Sequence, residues 1–530
     1  MIAIVMERGQ SGLVQKISQF ISLHPRLTAL VAGAASATGF APLNLWPVTL
    51  ACFALLTALI LRAPRRRTAL SIGWAFGFGQ MSVGLFWLAH AFTFQDKMPV
   101  ELGWFASPIV SIYLAIYPAM AAGLAWRWGR QNAVRFIYIF GASWIVTEWL
   151  RSKVFTGFPW NPLSAGFVEV AQVADLVGTY GASGIVLLTA GGLLLSVQRE
   201  FRQASLCLAL PIASLVYAAI PVASETNRPD GPILHVVQPN IGQQDKYRTG
   251  YKAENFEKLA ALTRAGNIGR KRVIFWPEAA IPDHIGDTDY EALLARKQIA
   301  SLMQAGDILL TGADKIFRRS ERVGNYIETS WVGAANSNFA LDSTGKILWS
   351  YDKAHLVPFG EYLPLREVLK PIGLARFVPG DLDFWPGPGP RSQAVSGIGK
   401  VGTQICYEII FSGEVTDRAN RPDLIFNPSN DAWYGSWQPP QHLAQARLRA
   451  MEEGLPIVRS TPTGISAVID AHGGIVKALA YQRPGYIQSE LPAPRPPTLF
   501  ARFGNILPIG FALLLIAFAL LPLARSKASR

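Results

Sequence analysis

The sequence predicts an α-helical transmembrane bundle of eight spans joined to an extracytoplasmic α/β sandwich domain. Three observations carry that prediction. Of 530 residues, 50% are hydrophobic and only 16% charged, against roughly 25% charged in typical soluble domains. Long apolar runs crowd the first 222 residues and return once near the end. Between them, residues 226–497 read as short strand-like runs alternating with helical patterns, the text of a layered α/β fold.

The apolar runs are 27–43, 46–61, 68–92, 104–126, 136–150, 180–197, 205–222 and 506–523. Most approach or exceed the ~20 residues that cross a bilayer as a helix, and membrane helices tolerate the Gly and Pro that interrupt them. Seven further runs after the first argue against a cleavable signal peptide. The expected division is therefore 1–222 as a seven-span bundle, 223–497 as the folded domain, and 498–530 as the eighth span with a basic tail.

Charge sets the orientation. The segments 1–26, 62–67, 127–135, 199–202 and 525–530 carry 15 Lys and Arg against Glu7 and Glu200, which accounts for the whole net charge of +13. They are the N-terminus, every second loop and the C-terminus, the alternation expected of cytoplasmic segments. Both termini are thus expected in the cytoplasm and residues 223–497 outside it. Arg151 and Lys153 fall on the outer side and dilute the pattern. A high pI used this way serves topology and does not point to nucleic acid.

The segment 151–178 contains TGFPWNPLSAGF and reads as interfacial or re-entrant. Glu148 lies near the outer end of the fifth span, where it either serves function, as intramembrane carboxylates often do, or pairs with Arg151.

In the folded domain the strand-like runs are ILHVVQPN, RVIFWPE, DILLTGAD, NFALDSTGKILWSYDK, VGTQICYE, DLIFNPSND and GISAVIDAHGGIV, with DSTG and AHGG as hairpin turns. Helical patterns cover 253–265, 290–304 and 441–453, the last placing Leu443, Ala446 and Ala450 on one face. No Gly-rich phosphate loop, HExxH pattern or Cys/His cluster of metal spacing is present, so no cofactor and no metal are expected.

Three cysteines occur. Cys52 and Cys207 fall in expected spans and read as packing residues. Cys406 stands alone in the outward domain, at the end of the strand-like GTQIC, and an unpaired thiol in an oxidising compartment is a candidate nucleophile. It needs help to ionise. His355 and His442 have nothing in the sequence that ties them to it. Glu278 in FWPEAAIP, and Lys353 and Glu361 in YDKAHLVPFGEYLP, each follow an apolar run that points them toward a partly dry pocket.

Glu in WPE, Lys in YDKAHLVPFGEYLP and Cys in ICYEIIF, in that order, resemble the Glu-Lys-Cys triad of the nitrilase (carbon–nitrogen hydrolase) superfamily. With VVQPNI, FNPSNDAWYG and the membrane spans, the whole chain resembles the apolipoprotein N-acyltransferases, the membrane-embedded branch of that superfamily. The resemblance implies a nitrilase-like αββα sandwich. It implies Cys406 as nucleophile on a phospholipid acyl ester, Glu278 as general base, and Lys353 with the backbone N–H of Tyr407 as oxyanion stabilisers. The thioester acyl-enzyme would pass its chain to the α-amino group of an N-terminal diacylglyceryl-cysteine on an apolipoprotein, with ping-pong kinetics. It further implies Glu361, Tyr407 and Glu408 as supporting residues. Tyr247 stands where the family usually has Trp in a substrate-facing arm. Val357, Phe359 and Trp433 are expected to face substrate, with Val357, Phe359 and Leu363 as a lid. A monomer in the bacterial inner membrane, its catalytic domain periplasmic, follows from the same resemblance. The competing readings are a membrane-tethered amidase or nitrilase acting on a small C–N substrate, and a transporter or receptor whose outer domain only binds.

Overall fold

The computed structural model describes residues 12–94, 99–220, 231–246, 248, 250–266, 269–323, 326–369, 371 and 384–521. Two compact units emerge. One holds the chain up to Phe86, Trp104–Pro221 and the chain from Phe503; the other holds Trp87–Gly103 and Val222–Arg502.

The first unit is helical. Among the described residues, Val100–Gly129, Ala133–Arg151, Leu163–Val197 and Phe201–Ala219 are long and apolar enough to cross a membrane. Arg66–Gly84 with Leu88–Phe94 makes a fifth if the pair counts as one span. Trp46–Leu61 and Ile506–Leu520 are apolar but shorter. Large apolar side chains such as Trp104, Ile109, Val216, Leu513 and Leu514 lie exposed on these helices, a surface suited to lipid rather than water. The chain is a membrane protein. Close helix contact rests on small residues: a Cβ on Gly33 would lie 2.0 Å from the Phe76 carbonyl oxygen, so Pro25–Ser36 and Arg66–Gly84 meet backbone to backbone.

Three expectations shift here. The 27–43 run is helical only to Ser36, where hydroxyls divert the backbone: Ser36 bonds Gly33 O at 2.7 Å and Thr49 bonds Ser36 O at 2.7 Å. The 68–92 run ends its helix at Gly84, and the residues from Trp87 pack in the second unit, where the Trp87 indole donates to Gln441 at 3.1 Å. The 151–178 segment forms a 3₁₀ stretch, Leu163–Val173, leading into Ala174–Val197. Glu148 accepts from the Leu163 N–H at 2.8 Å and the Trp144 indole at 3.2 Å, while Arg151 stands 3.9 Å away. The carboxylate therefore both pairs with Arg151 and anchors the returning chain.

Among its described residues the second unit has twelve strands: β1 (Ile233–Gln238), β2 (Arg272–Phe275), β3 (Ile308–Val323), β4 (Tyr326–Asp342), β5 (Ile347–Asp352), β6 (Ser392–Val395), β7 (Gly399–Thr403), β8 (Leu424–Pro428), β9 (Ile457–Ser460), β10 (Ala467–Ile469), β11 (Ile475–Ala478) and β12 (Gly485–Ser489). They form two six-stranded sheets, ordered β12-β1-β2-β3-β4-β5 and β11-β10-β9-β8-β7-β6. The central pairs β1/β2, β2/β3, β7/β8 and β8/β9 are parallel and the outer ones antiparallel.

Period-two alternation builds the layers. Leu234, Val236, Val273, Phe275 and Leu310 point inward and meet Val401, Leu424, Phe426 and Val458 of the other sheet, with the Phe275 and Phe426 rings 4.9 Å apart. The intervening Val237, Ile274 and Leu309 face outward onto Leu259, Ala295 and Ile299, from helices Lys252–Arg264 and Tyr290–Ala300. Asp289 caps the second of these by accepting from Ala292 N–H at 2.9 Å. The helix Gln438–Glu453 packs on β9 of the second sheet, so the layers read αββα. The sequence had marked neither β6, β9 and β12 nor the outer half of the β3–β4 hairpin.

Candidate active site

Three strand ends converge on one cavity of about 90 Å³, lined among others by Glu278, Lys353, Cys406, Lys246, Asn336 and Glu361. Loops positioned by a rigid sheet are where such groups gather.

Cys406 comes three residues after β7 and opens the turn Cys406–Ile410. Its φ is +49°, a left-handed conformation that costs a residue with a Cβ about 1–2 kcal/mol. The neighbours hold it there. The Cys406 carbonyl faces His442 Nε2 at 3.1 Å and Asn427 Nδ2 at 3.5 Å. Glu408 folds back to accept from Ile405 N–H at 2.7 Å. Its other oxygen accepts from the Tyr351 hydroxyl and the Ala354 N–H, both at 2.8 Å, and from His355 N–H at 3.2 Å. Glu408 thus ties the Cys406 turn after one sheet's β7 to the end of β5 in the other, which leads into Lys353. Burial raises the Glu408 carboxyl to about 7 against those hydrogen bonds.

Glu278 follows β2 through Trp276 and Pro277. The backbone there locks to β3: Trp276 N–H donates to Leu310 O at 2.9 Å and Ala280 N–H to Gly312 O at 2.9 Å. A Cβ on Gly312 would lie 2.3 Å from Ala279 N, so only glycine lets the loop approach. Asn336 donates its amide to Glu278 Oε1 at 2.6 Å and to Glu361 Oε1 at 2.9 Å. Glu278 Oε2 is buried and has no hydrogen-bond partner among the described residues.

Lys353 extends β5 by donating its N–H to Asn336 O at 2.9 Å. Its ammonium sits 2.9 Å from Glu361 and 3.5 Å from Glu278. Burial alone would lower its pKa, but the carboxylates of Glu361 and Glu278 outweigh it and hold the lysine above its usual range. Glu361 is fixed in turn by the Val357 N–H at 2.8 Å. The Cys406 thiol is pushed well above its usual range, first by burial and then by the charge of Glu278; Lys353 and the Asn430 N–H act the other way.

Of the remaining expected residues, Val357 and Trp433 line the cavity, Trp433 with its ring 5.8 Å from that of Phe94. Tyr407 is buried against Phe411. Phe359 is 37% exposed, with φ +62°, outside the lining, while Leu363 is buried. Tyr247 lies outside the described residues.

The sequence had set His442 aside, yet it braces Cys406 through a buried network. Its Nδ1 stands 3.0 Å from Asp431 Oδ1 and 2.9 Å from Arg459 Nη2, which also bonds Asp431 Oδ2 at 2.6 Å. Burial and then the Arg459 charge lower the His442 pKa, whereas Arg459 and His442 hold Asp431 low against its burial. Cys406, Asp431 and His442 offer ligand atoms within 4.8 Å of one another, but Arg459 already holds the carboxylate and imidazole that a metal would need. The other groups missed were Asn336, Lys246, Asp314 and Tyr434 at the cavity wall. For Asn336 a signal existed: ANSN interrupts an apolar strand with polar residues that a core does not accept unbonded.

Comparison with known proteins follows this geometry. Residues 235–495 match the carbon-nitrogen hydrolase family, and residues 32–192 match the apolipoprotein N-acyltransferase N-terminal domain. Among solved structures, an amidase from Nesterenkonia sp. aligns at 18% identity and TM-score 0.34, covering 51% of this chain and 93% of its own. An apolipoprotein N-acyltransferase of Rhodopseudomonas palustris is 34% identical over 509 residues, 90% of this chain and 91% of that one. One from Bradyrhizobium diazoefficiens is 34% identical over 528 residues, 95% of each. At that identity over nearly the full length of both partners, the chain belongs to the apolipoprotein N-acyltransferase family.

Proposed function

We propose that this protein moves an acyl chain from a membrane phospholipid, through a thioester on Cys406, to the α-amino group of an apolipoprotein's N-terminal diacylglyceryl-cysteine. The observation that carries the reading is Glu278 and Cys406 lining one cavity, one Glu278 oxygen held by Asn336 and Lys353 and the other without a hydrogen-bond partner among the described residues. Membership of the family supplies the acyl-transfer context.

In the first half-reaction Glu278 takes the thiol proton as Cys406 Sγ attacks the ester carbonyl. Charge gathers on the carbonyl oxygen, where Lys353 and the Tyr407 N–H stabilise it. The C–O bond breaks, the proton passes from Glu278 to the leaving alkoxide, and a lysophospholipid departs. In the second, Glu278 takes a proton from the attacking amine, the C–S bond breaks, and Cys406 recovers its proton as the amide forms. Two lipid substrates using one site in turn give ping-pong kinetics. Raised thiol pKa suits this order: the resting thiol stays protonated until an ester arrives.

The same reading takes the chain as an eight-span protein of the bacterial inner membrane, acting as a monomer. Both termini are cytoplasmic, and the divisions are 1–222, 223–497 and 498–530. Acyl tails cost about 0.8 kcal/mol per CH₂ to expose to water, so a pocket at the bilayer surface admits the ester while the tails stay in apolar surroundings.

The test is to incubate the purified full chain with phosphatidylethanolamine vesicles and measure Cys406 by intact mass. An acyl adduct that disappears when a diacylglyceryl-cysteine peptide is added, with amide appearing, is expected. Hydrolysis of a small amide with no adduct from phospholipid would assign the amidase reading instead. Tags at either terminus and within 223–497 report the sidedness.

A further inference from the structure

Tyr434 lines the same cavity as Glu278, Lys353 and Cys406. It follows the short turn Asp431–Trp433, and its N–H donates to the Asp431 carbonyl at 3.2 Å. The Asp431 side chain stands 3.0 Å from His442 Nδ1, and His442 Nε2 stands 3.1 Å from the Cys406 carbonyl oxygen. Asp431 and His442 therefore tether the backbone of both Cys406 and Tyr434. The ring has support of its own. It meets Trp87 edge to face with centroids 4.9 Å apart, and the Trp87 indole donates to Gln441 at 3.1 Å. Gln441 precedes His442 on the helix Gln438–Glu453. These contacts close a loop from Cys406 through that helix to the phenol, so the tyrosine is set against the thiol before substrate arrives.

We propose that the Tyr434 hydroxyl donates a hydrogen bond to the acyl carbonyl oxygen as charge builds on it, a third donor beside Lys353 and the Tyr407 N–H. This rests on the Cys406 thioester reading above and adds a residue to it. Among the described residues the hydroxyl makes no hydrogen bond, so it enters the reaction uncommitted, whereas Lys353 shares its charge with Glu361 and Glu278. Burial raises the phenol pKa and the charge of Cys406 raises it further, against Lys353. The proton therefore stays on the phenol throughout, and only the hydrogen bond strengthens as the carbonyl becomes an alkoxide. The acyl oxygen is the acceptor that the ester, both tetrahedral intermediates and the thioester all present, while the leaving alkoxide departs and the amine comes and goes.

The experiment follows Cys406 acylation of the full chain by phosphatidylethanolamine, and its discharge by a diacylglyceryl-cysteine peptide, by intact mass. Wild type, Y434F and a chain carrying difluorotyrosine at position 434 are compared. Isotope-edited infrared spectroscopy of the thioester, formed from a carbonyl-labelled donor, reads the hydrogen bond directly. Y434F should slow both half-reactions by about tenfold, in kcat with little change in KM, and move the carbonyl stretch to higher wavenumber. Difluorotyrosine, a stronger donor of nearly the same shape, should move it lower. A stretch that is the same in all three chains overturns the assignment and leaves the acyltransferase reading standing, as does slowing confined to KM or to discharge by the peptide. A wild type that forms no thioester overturns both.

Discussion

Glu408 and Tyr351 share a hydrogen bond of 2.8 Å that joins the Cys406 turn to the strand leading into Lys353. Removing the hydroxyl with Tyr351→Phe takes one bond of four and should cost about 1 kcal/mol. Glu408→Ala strands the N–H groups of Ile405, Ala354 and His355, each at about 1–3 kcal/mol. Thermal unfolding in detergent should fall slightly in the first variant and severely in the second. Equal losses would mean the carboxylate is no clamp.

The Cys406 thiol should alkylate slowly near neutral pH and faster as pH rises well past the usual thiol range, because burial and Glu278 hold its proton. Glu278→Gln removes the negative charge and moves the alkylation profile to lower pH, while Lys353→Met moves it higher. Both should lower acyl transfer by about 10²–10⁴-fold. Iodoacetamide labelling rate against pH, read by mass, checks the opposite signs.

His442 holds the Cys406 carbonyl, with Nε2 3.1 Å from its oxygen. His442→Gln keeps a donor and should retain more transfer than His442→Phe, with the loss in kcat rather than KM. Arg459→Ala leaves Asp431 as a buried charge without its main partner, at roughly 3–5 kcal/mol. Calorimetry on that variant should register a large drop in Tm.

Gly312→Ala should abolish transfer with a modest effect on folding, since a Cβ 2.3 Å from Ala279 N pushes the Glu278 loop off the cavity. Activity measured beside a melting curve separates the two.

The stability that Glu408 and Glu453 contribute should fall as pH rises from about 4.5 to about 7. Burial raises both Glu408 and Glu453 from 4.5 to about 7, so the folded state holds these protons more tightly and loses that advantage as pH climbs through the folded values. Each carboxyl contributes at most roughly 3 kcal/mol. Glu453→Gln should flatten the slope of Tm against pH in that window and leave acidic Tm little changed.

Much of this was readable in the chain because local chemistry declared it. Apolar length exposed the helices, alternation exposed β1, β2 and the start of β3, and WPE, YDK and ICYE each set a polar group after an apolar run. What stayed hidden depended on partners remote in sequence. Nothing near His442 signals that Cys406 needs its carbonyl held. IVRS was not marked as a strand, and nothing in it signals that Arg459 is buried beside Asp431 and His442. The run at 68–92 carries no Asp, Glu, Lys or Arg, so composition could not tell that Trp87 finds its indole partner on Gln441, a contact spanning more than half the chain.

The left-handed φ of Cys406 sets stability against activity at a single residue. Glycine would occupy that position without strain, so a Cys406→Gly protein should resist unfolding at least as well as the active one, by about 1 kcal/mol after the lost thiol contacts are discounted. Thermal screens of variant libraries should recover glycine at this position among the stable members.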